Sequence, residues 1–314
     1  MLLRIGHLST FYHTAMLLMA DKALCSRIDA DLQWKLFGTG PAIVNAFEKK
    51  EIDLAYIGLP PAIIGIERGV PIICIAGGHV EGTVFCSKSQ YKGYPEIDRL
   101  EDILEQFKGM KIGVPGKGSI HDVILQDSLR KADLAGAISV RNFAWADMAM
   151  EAVVKDEIAA AFGTPALAVA VKHYAGGKIL YPPSKLWPNN PSYGIVVDRG
   201  YLLANQHLIA GFLHSHENAT ALIRSHPADV AGIISGYVGF IDTAFVLETL
   251  AISPKYCSQL TDQFIASTMG FVSVLNGLGY VRRTLEADEI FDCTLINKVH
   301  PETHHYDDGI VYPD

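Results

Sequence analysis

The chain has few cysteines and no concentration of positive charge. Its five cysteines, Cys25, Cys74, Cys86, Cys257 and Cys293, are odd in number and show no Cys-x-x-Cys spacing. Neither a disulfide framework nor a zinc knuckle is indicated, and a reducing compartment fits best. Cys74 and Cys86 lie in apolar strand-like runs and read as buried thiols. No Lys/Arg-rich run interrupts a formal net charge of -8, so there is no electrostatic footprint for nucleic acid or an anionic membrane surface. No apolar stretch approaches the ~18 residues of a membrane helix. The Gly-x-Ser-x-Gly, His-Glu-x-x-His and Walker signatures are all missing, so nucleophilic catalysis, a metal and a cofactor are not expected.

What is present is a long, apolar chain. Hydrophobic residues make up 49% and charged ones 19% of its 314 residues, which is ample for a sizeable core and favours two domains. Strand, loop and helix alternate through residues 1–70, with short apolar strands at 2–6, 32–37 and 54–57. That alternation is the pattern of βαβ units on a parallel sheet. A β-rich run over 71–87, bent at Gly77, Gly78 and Gly82, leads through a polar stretch at 88–102 into a second series. There, strands at 110–114, 138–143 and 158–162 alternate with helices at 119–132, 146–155 and 165–173. After a return through 182–193 and a strand at 194–197, helical periodicity dominates 206–224, 228–235, 243–250 and 262–278. An apolar patch at 15–20 reads as one helix continuing to residue 28, and the tail from Pro301 reads as loose.

Each strand of the first series ends in a loop of small or hydroxylated residues that opens a helix. Helix N-terminal amides thus collect at the carboxyl edge of a sheet, where open α/β folds bind small ligands. The stretch contains Gly38-Thr39-Gly40-Pro41-Ala42, Lys50-Glu51-Ile52-Asp53 and Gly58-Leu59-Pro60-Pro61-Ala62. This pattern resembles the periplasmic substrate-binding proteins of ABC importers for sulfonates, nitrate and taurine, the NMT1/THI5-like group. The resemblance spans nearly the whole chain. It implies a type II periplasmic-binding-protein fold, α/β, with two lobes and a cleft between them. One lobe would hold residues 1–87 plus 195–314, with the C-terminal helices packed on it, and the other residues 88–194. It also implies a transporter permease as partner and no catalysis. The runs 182–197 and 252–257 look like a subgroup signature with no assignable ligand.

Candidate ligand residues follow from the loops. In Gly38-Thr39-Gly40 two glycines let the backbone approach a ligand while Thr39 offers a hydroxyl. The loop Pro115-Gly116-Lys117-Gly118-Ser119 does the same and adds a cation, unless it is only a turn capped by Ser119. Ser9, Thr10 and Phe11 close the first loop, Gly58 and Leu59 the third, and Thr164 the last. His7, His13, His79 and His121 sit in or beside these loops without i, i+4 spacing, so hydrogen bonding is expected of them rather than a metal. His13 and His121, near first helical turns, are expected to contact ligand, with His79 close by. Glu81 and Asp147 could accept hydrogen bonds from an amine or pyrimidine; otherwise Glu81 is a solvated turn residue and Asp147 a helix-start charge. Trp145 and Tyr193 could stack on a planar ligand or pack between lobes.

Two functional classes remain. One is a binding protein that closes on a small solute, a sulfonate, nitrate, taurine-like anion or small heterocycle, and hands it to a transporter. The other is a cytoplasmic enzyme on the same fold, related to menaquinone-pathway or thiamin-pyrimidine synthase enzymes. Ser9-Thr10-Phe11 is loosely similar to the Asp-Thr-Phe of the former, but the cysteine-rich iron motif of the latter is missing. With a first strand starting at residue 2, export requires a leader upstream of Met1; otherwise the protein stays in the cytoplasm.

Overall fold

Two five-stranded mixed sheets of the same design organise the computed structural model, which describes residues 1–308. In chain order the strands are β1 (Leu2–Leu8), β2 (Asp31–Phe37), β3 (Leu54–Ile57), β4 (Ile72–Val80), β5 (Val84–Lys88), β6 (Lys111–Pro115), β7 (Ser139–Phe143), β8 (Ala160–Gly163), β9 (Gly177–Tyr181) and β10 (Pro191–Asp198). The first sheet has the order β2-β1-β3-β10-β4 and the second β7-β6-β8-β5-β9. In each, three parallel strands carry βαβ crossovers, and the fourth strand runs antiparallel. That fourth strand comes from the other half of the chain, since β5 follows β4 and β10 follows β9. β3, β4 and β8 are buried along their whole length, which explains why they read as continuous apolar runs rather than alternating ones.

The β-rich run 71–87 is therefore two strands in two sheets. The change falls at Glu81, Gly82 and Thr83, where Glu81 adopts a left-handed φ of 63°. A Cβ on Gly82 would sit 2.4 Å from Ser192 Oγ, so only glycine fits there. The Glu81 carboxylate is buried, accepts a hydrogen bond from the Asn189 amide at 3.0 Å and pairs with Lys255 at 3.1 Å. Glu81 is thus an anchor of the crossing, neither a solvated turn residue nor a cleft group.

Several local expectations need correction. The first helix stops at Ala20, because the Asp21 side chain accepts from Ala23 N and starts a separate 3-10 turn, Lys22–Cys25. The polar stretch 88–102 holds the start of a helix, Leu100–Glu105, that buries Ile103 and Leu104. β9, a short strand beginning after the left-handed cap Gly176, has no counterpart in the periodicity. The tail is not loose through residue 308: Gln259 Nε2 donates to the Glu302 carbonyl, and buried Tyr306 donates to the Gln259 carbonyl.

The helices Gln206–Ser225, Pro227–Val238, Thr243–Ile252 and Asp262–Gly277 match the periodic segments closely. They pack on both halves rather than on the first sheet alone. Phe245 packs against Val169 and Ala170 beside the second sheet, and Asp262–Gly277 contacts both Leu59–Glu67 and Ile120–Lys131. Among the described residues no helix is long and apolar enough to cross a membrane.

In the Lys-Glu-Ile-Asp motif, Asp53 clamps the first sheet. Its carboxylate accepts from Arg4 N at 2.9 Å, Arg4 Nε at 2.9 Å and an Arg4 guanidinium nitrogen at 2.5 Å, tying β1 to the entry of β3. The side chain is only 7% exposed, so Asp53→Ala leaves a backbone donor and a guanidinium without their acceptor. The variant is expected to lose ~2–3 kcal/mol of stability in urea titration, the scale of hydrogen bonds to a charged group. A loss below ~0.5 kcal/mol would show the pair to be dispensable surface decoration.

Candidate functional site

The two sheets present their carboxyl edges to one another. Five helices of nine to twelve residues begin there, at Gly40, Leu59, Ile120, Ala146 and Pro165. Their N-cap residues are Thr39, Gly58, Ser119, Trp145 and Thr164, and the shorter helix Thr14–Ala20 starts beside them after His13. Thr39, Ser119 and Thr164 each accept a hydrogen bond from an amide of their own first turn. These hydroxyls are therefore partly spent as caps. The remaining helix-start dipoles favour negative charge.

Between the edges lies a cavity of about 50 Å³. Of the candidate residues, Ser9, Thr10, His13, Gly38, Thr39, Gly40, Gly58, Ser119, His121 and Thr164 line it. Tyr12 and Ser192 line it too and were not singled out from the sequence, although Tyr12 adjoins His13 and Ser192 lies in the 182–197 signature. No Asp, Glu, Lys, Arg or Cys is among the lining residues. A second pocket of about 460 Å³ shares Ser9, Ala146 and Thr164 with the cavity and takes in Phe11, Trp145 and Asp147 beside Tyr174, Phe240 and Phe245. A polar inner chamber thus opens toward an aromatic outer one.

Four candidates lie elsewhere. Leu59 is fully buried in the core. Lys117 and Gly118 line a separate groove with Arg68 and Tyr280. Gly116 and Gly118 hold φ of +71° and +77°, and this double reversal aims Ser119 at the cavity and Lys117 away from it. His79 is 1% exposed and engaged on both nitrogens: Nε2 donates to the Ser253 carbonyl at 2.5 Å, and Nδ1 accepts from Ser192 Oγ at 2.8 Å. Ser192 Oγ in turn accepts from the Gly82 amide at 2.6 Å, which fixes that tautomer. His79 therefore braces the wall behind the cavity.

His13 is the unusual group. It is 2% exposed, and neither ring nitrogen has a hydrogen-bond partner; buried Thr10 Oγ1 lacks one as well. Tyr12 and Tyr193 flank the ring at centroid distances of 4.6 and 4.1 Å. Beneath it Thr14 Oγ1 sits 3.1 Å from Tyr193 Oη and 2.9 Å from His216 Nδ1, and His216 Nε2 donates to the Gly77 carbonyl at 2.9 Å. Burial, reinforced by the neighbouring histidines, pushes His13 well below its ordinary value, and burial alone brings His121 to about 3. Both imidazoles are neutral near pH 7, so the cavity is polar but uncharged.

The halves touch through glycines. A Cβ on Gly38 would meet the Ala144 carbonyl oxygen at 2.5 Å and the Trp145 ring at 3.1 Å, and one on Gly116 would meet Thr39 Cγ2 at 2.7 Å. Glycine backbone in one sheet's loops thus lies directly against a carbonyl or a side chain of the other's.

Residues 2–235, which carry both sheets and nearly all the cavity-forming loops, match the NMT1-like family. The chain belongs to that family. No curated protein sequence matches it. Among solved structures, this NMT1-like chain resembles the periplasmic aliphatic sulphonate binding protein SsuA of Escherichia coli, with a TM-score of 0.76 and 20% identity over 93% of this chain and 92% of that one. SsuA of Xanthomonas axonopodis pv. citri, bound to MOPS, gives 0.77 and 19% over 92% and 98%. The periplasmic nitrate-binding protein NrtA of Synechocystis PCC 6803 gives 0.77 and 12% over 96% and 88%. At these identities the likeness establishes the periplasmic-binding-protein fold.

The buried imidazoles make folding acid-sensitive. His79 and His121 take up a proton in the folded chain only near pH 3, against 6.5 for an ordinary histidine. Between those values the unfolded chain binds more protons, so stability is complete above about pH 6.5 and falls as the pH drops toward 3. Each such histidine contributes up to ~1.4 kcal/mol per pH unit within that window. Melting temperatures measured from pH 7.5 to 4 are expected to fall steeply, with His121→Gln flattening the slope. A flat profile would show that these rings titrate in the fold as they do in the unfolded chain.

Proposed function

We propose that the chain is the solute-binding component of an ABC importer, which closes its two sheet-bearing lobes over one small solute and delivers it to a membrane permease. The observation that carries this reading is the pair of buried, unpartnered groups, His13 and Thr10 Oγ1, in a cavity onto which helix starts from both sheets open. Leaving such groups without partners costs ~1–3 kcal/mol each, and a bound solute repays it. The lining holds no carboxylate and no cysteine, which supports binding over catalysis. The likeness to proteins described as periplasmic supports a place outside the cytoplasm.

The solute is a small anion of the sulfonate, nitrate or taurine type. Five helix starts favour negative charge, and with no Arg or Lys in the cavity a neutral imidazole must answer it by taking up a proton. A neutral heterocycle is the second reading, favoured by the aromatic rings flanking His13.

Calorimetry with taurine, ethanesulfonate, nitrate and a pyrimidine separates them. An anion is expected to bind with proton uptake and to bind more tightly at pH 6 than at pH 8, whereas a heterocycle would bind independently of pH. Binding of none of these by ligand-stripped protein would refute both readings.

Closure is tested at Gly38, which does not have a positive φ, so alanine there is unstrained except where its Cβ meets the Ala144 carbonyl and the Trp145 ring on the other side of the cleft. Gly38→Ala is expected to weaken the binding solute at least ~10-fold, about 1.4 kcal/mol, with melting behaviour unchanged in the absence of solute. Lys117→Ala, in the separate groove, is expected to leave affinity unaltered. The opposite ranking would move the site to the Lys117 groove.

A further inference from the structure

Away from the cavity, three side chains of differing chemistry converge under the C-terminal segment. Glu217 comes from the helix Gln206–Ser225, Cys257 from a segment that extends the first sheet beyond β4, and His300 from the turn after Ile296–Val299. The Cys257 segment is held to β4 by a bridge between His79 and Tyr256 and by the Gly77 amide donating to the Ser258 carbonyl. One ligand atom from each residue lies within 4.8 Å of the others. Cys257 Sγ is 3.5 Å from His300 Nε2, and that nitrogen is 3.9 Å from Glu217 Oε1. A tetrahedral zinc with bonds of ~2.3 Å to sulfur and ~2.0–2.1 Å to nitrogen and oxygen places sulfur and nitrogen about 3.6 Å apart and nitrogen and oxygen about 3.3 Å apart. The trio therefore needs only a small inward movement of Glu217.

We propose that Glu217, Cys257 and His300 form a structural zinc site that staples the C-terminal segment to the edge of the first sheet. The outer ring of contacts suits that role. His300 Nδ1 is buried without a hydrogen-bond partner, with Glu302 Oε2 standing 3.4 Å away, while Nε2 is the nitrogen turned toward Cys257 and Glu217. Glu217 is oriented by Ser258 Oγ at 2.5 Å, Thr220 Oγ1 at 2.9 Å and Arg224 at 3.3 Å. The ion's two charges and that of Arg224 are met by the thiolate, Glu217 and Glu302. Burial raises the Cys257 thiol to about 11, so binding displaces its proton to solvent as the zinc–sulfur bond forms. A thiolate, imidazole and carboxylate together select zinc over hard cations, and water completes the tetrahedron.

The test uses the full chain, dialysed against a chelator and then titrated with zinc. One equivalent is expected to remain through gel filtration, with a raised melting temperature. Cobalt in place of zinc is expected to give a near-ultraviolet thiolate charge-transfer band. Glu217→Gln is expected to weaken zinc binding at least about 10-fold, because a neutral amide is a poor substitute for a carboxylate ligand. Cys257→Ser is expected to abolish the band; if that variant does not fold, the band in the unaltered chain decides the matter. The proposal fails if the unaltered chain retains no metal, if cobalt gives no thiolate band, or if a folded Cys257→Ser binds zinc as tightly, which would put the metal on the half-buried histidines His304 and His305.

Discussion

An imidazole sealed inside a protein with neither nitrogen bonded is a debt that the fold cannot discharge alone. His13 is in that position, set between Tyr12 and Tyr193 at the mouth of β1's loop. Its place is fixed from below by the buried chain of Tyr193, Thr14 and His216, which ends on the Gly77 carbonyl of β4. Four parts of the lobe around the first sheet thus hold one ring in place: the first loop, the antiparallel strand β10, the strand β4 and the helix Gln206–Ser225. The ring itself is left to be satisfied from the cavity.

The electrostatics around it come from backbone rather than side chains. Both sheets aim helix starts at the same small space, and no formal charge lines it. A site built from dipoles and neutral imidazoles needs little reorganisation to accept a charged guest, provided water is kept out. The glycine contacts accomplish that exclusion. Gly38 lies against the Ala144 carbonyl and Gly116 against the Thr39 side chain across the cleft, where a larger residue would hold the halves apart.

The sequence made much of this legible. The strand-loop-helix series over residues 1–57 and 110–173 reappears with its strands displaced by only a few residues, although the first helix is cut short at Ala20, because short apolar runs followed by a small or hydroxylated helix-opening loop leave the chain few options. The loops at Ser9, Thr39, Gly58, Ser119 and Thr164 could be picked out as cavity-facing because a loop at the carboxyl end of a parallel strand faces one edge whatever the rest of the fold does. Fine orientation was less accessible. Lys117 and Ser119 are two residues apart in one loop, yet they face different cavities because of two positive-φ glycines between and beside them.

By itself, then, the sequence determined the order of the parallel strands and their crossover helices, the two parallel-sheet series and the edge at which small residues gather, since each follows from local periodicity, capping and turn chemistry. Only the tertiary structure decided which polar groups meet. Ser192 and His79 are brought together by β10 lying antiparallel beside β4, and Glu217, Cys257 and His300 meet because three distant segments fold over one sheet edge. Glu81, with the look of a turn carboxylate, became a buried anchor once Lys255 and Asn189 arrived from elsewhere. Contacts of that kind depend on strand order and helix docking, which no window of neighbouring residues encodes.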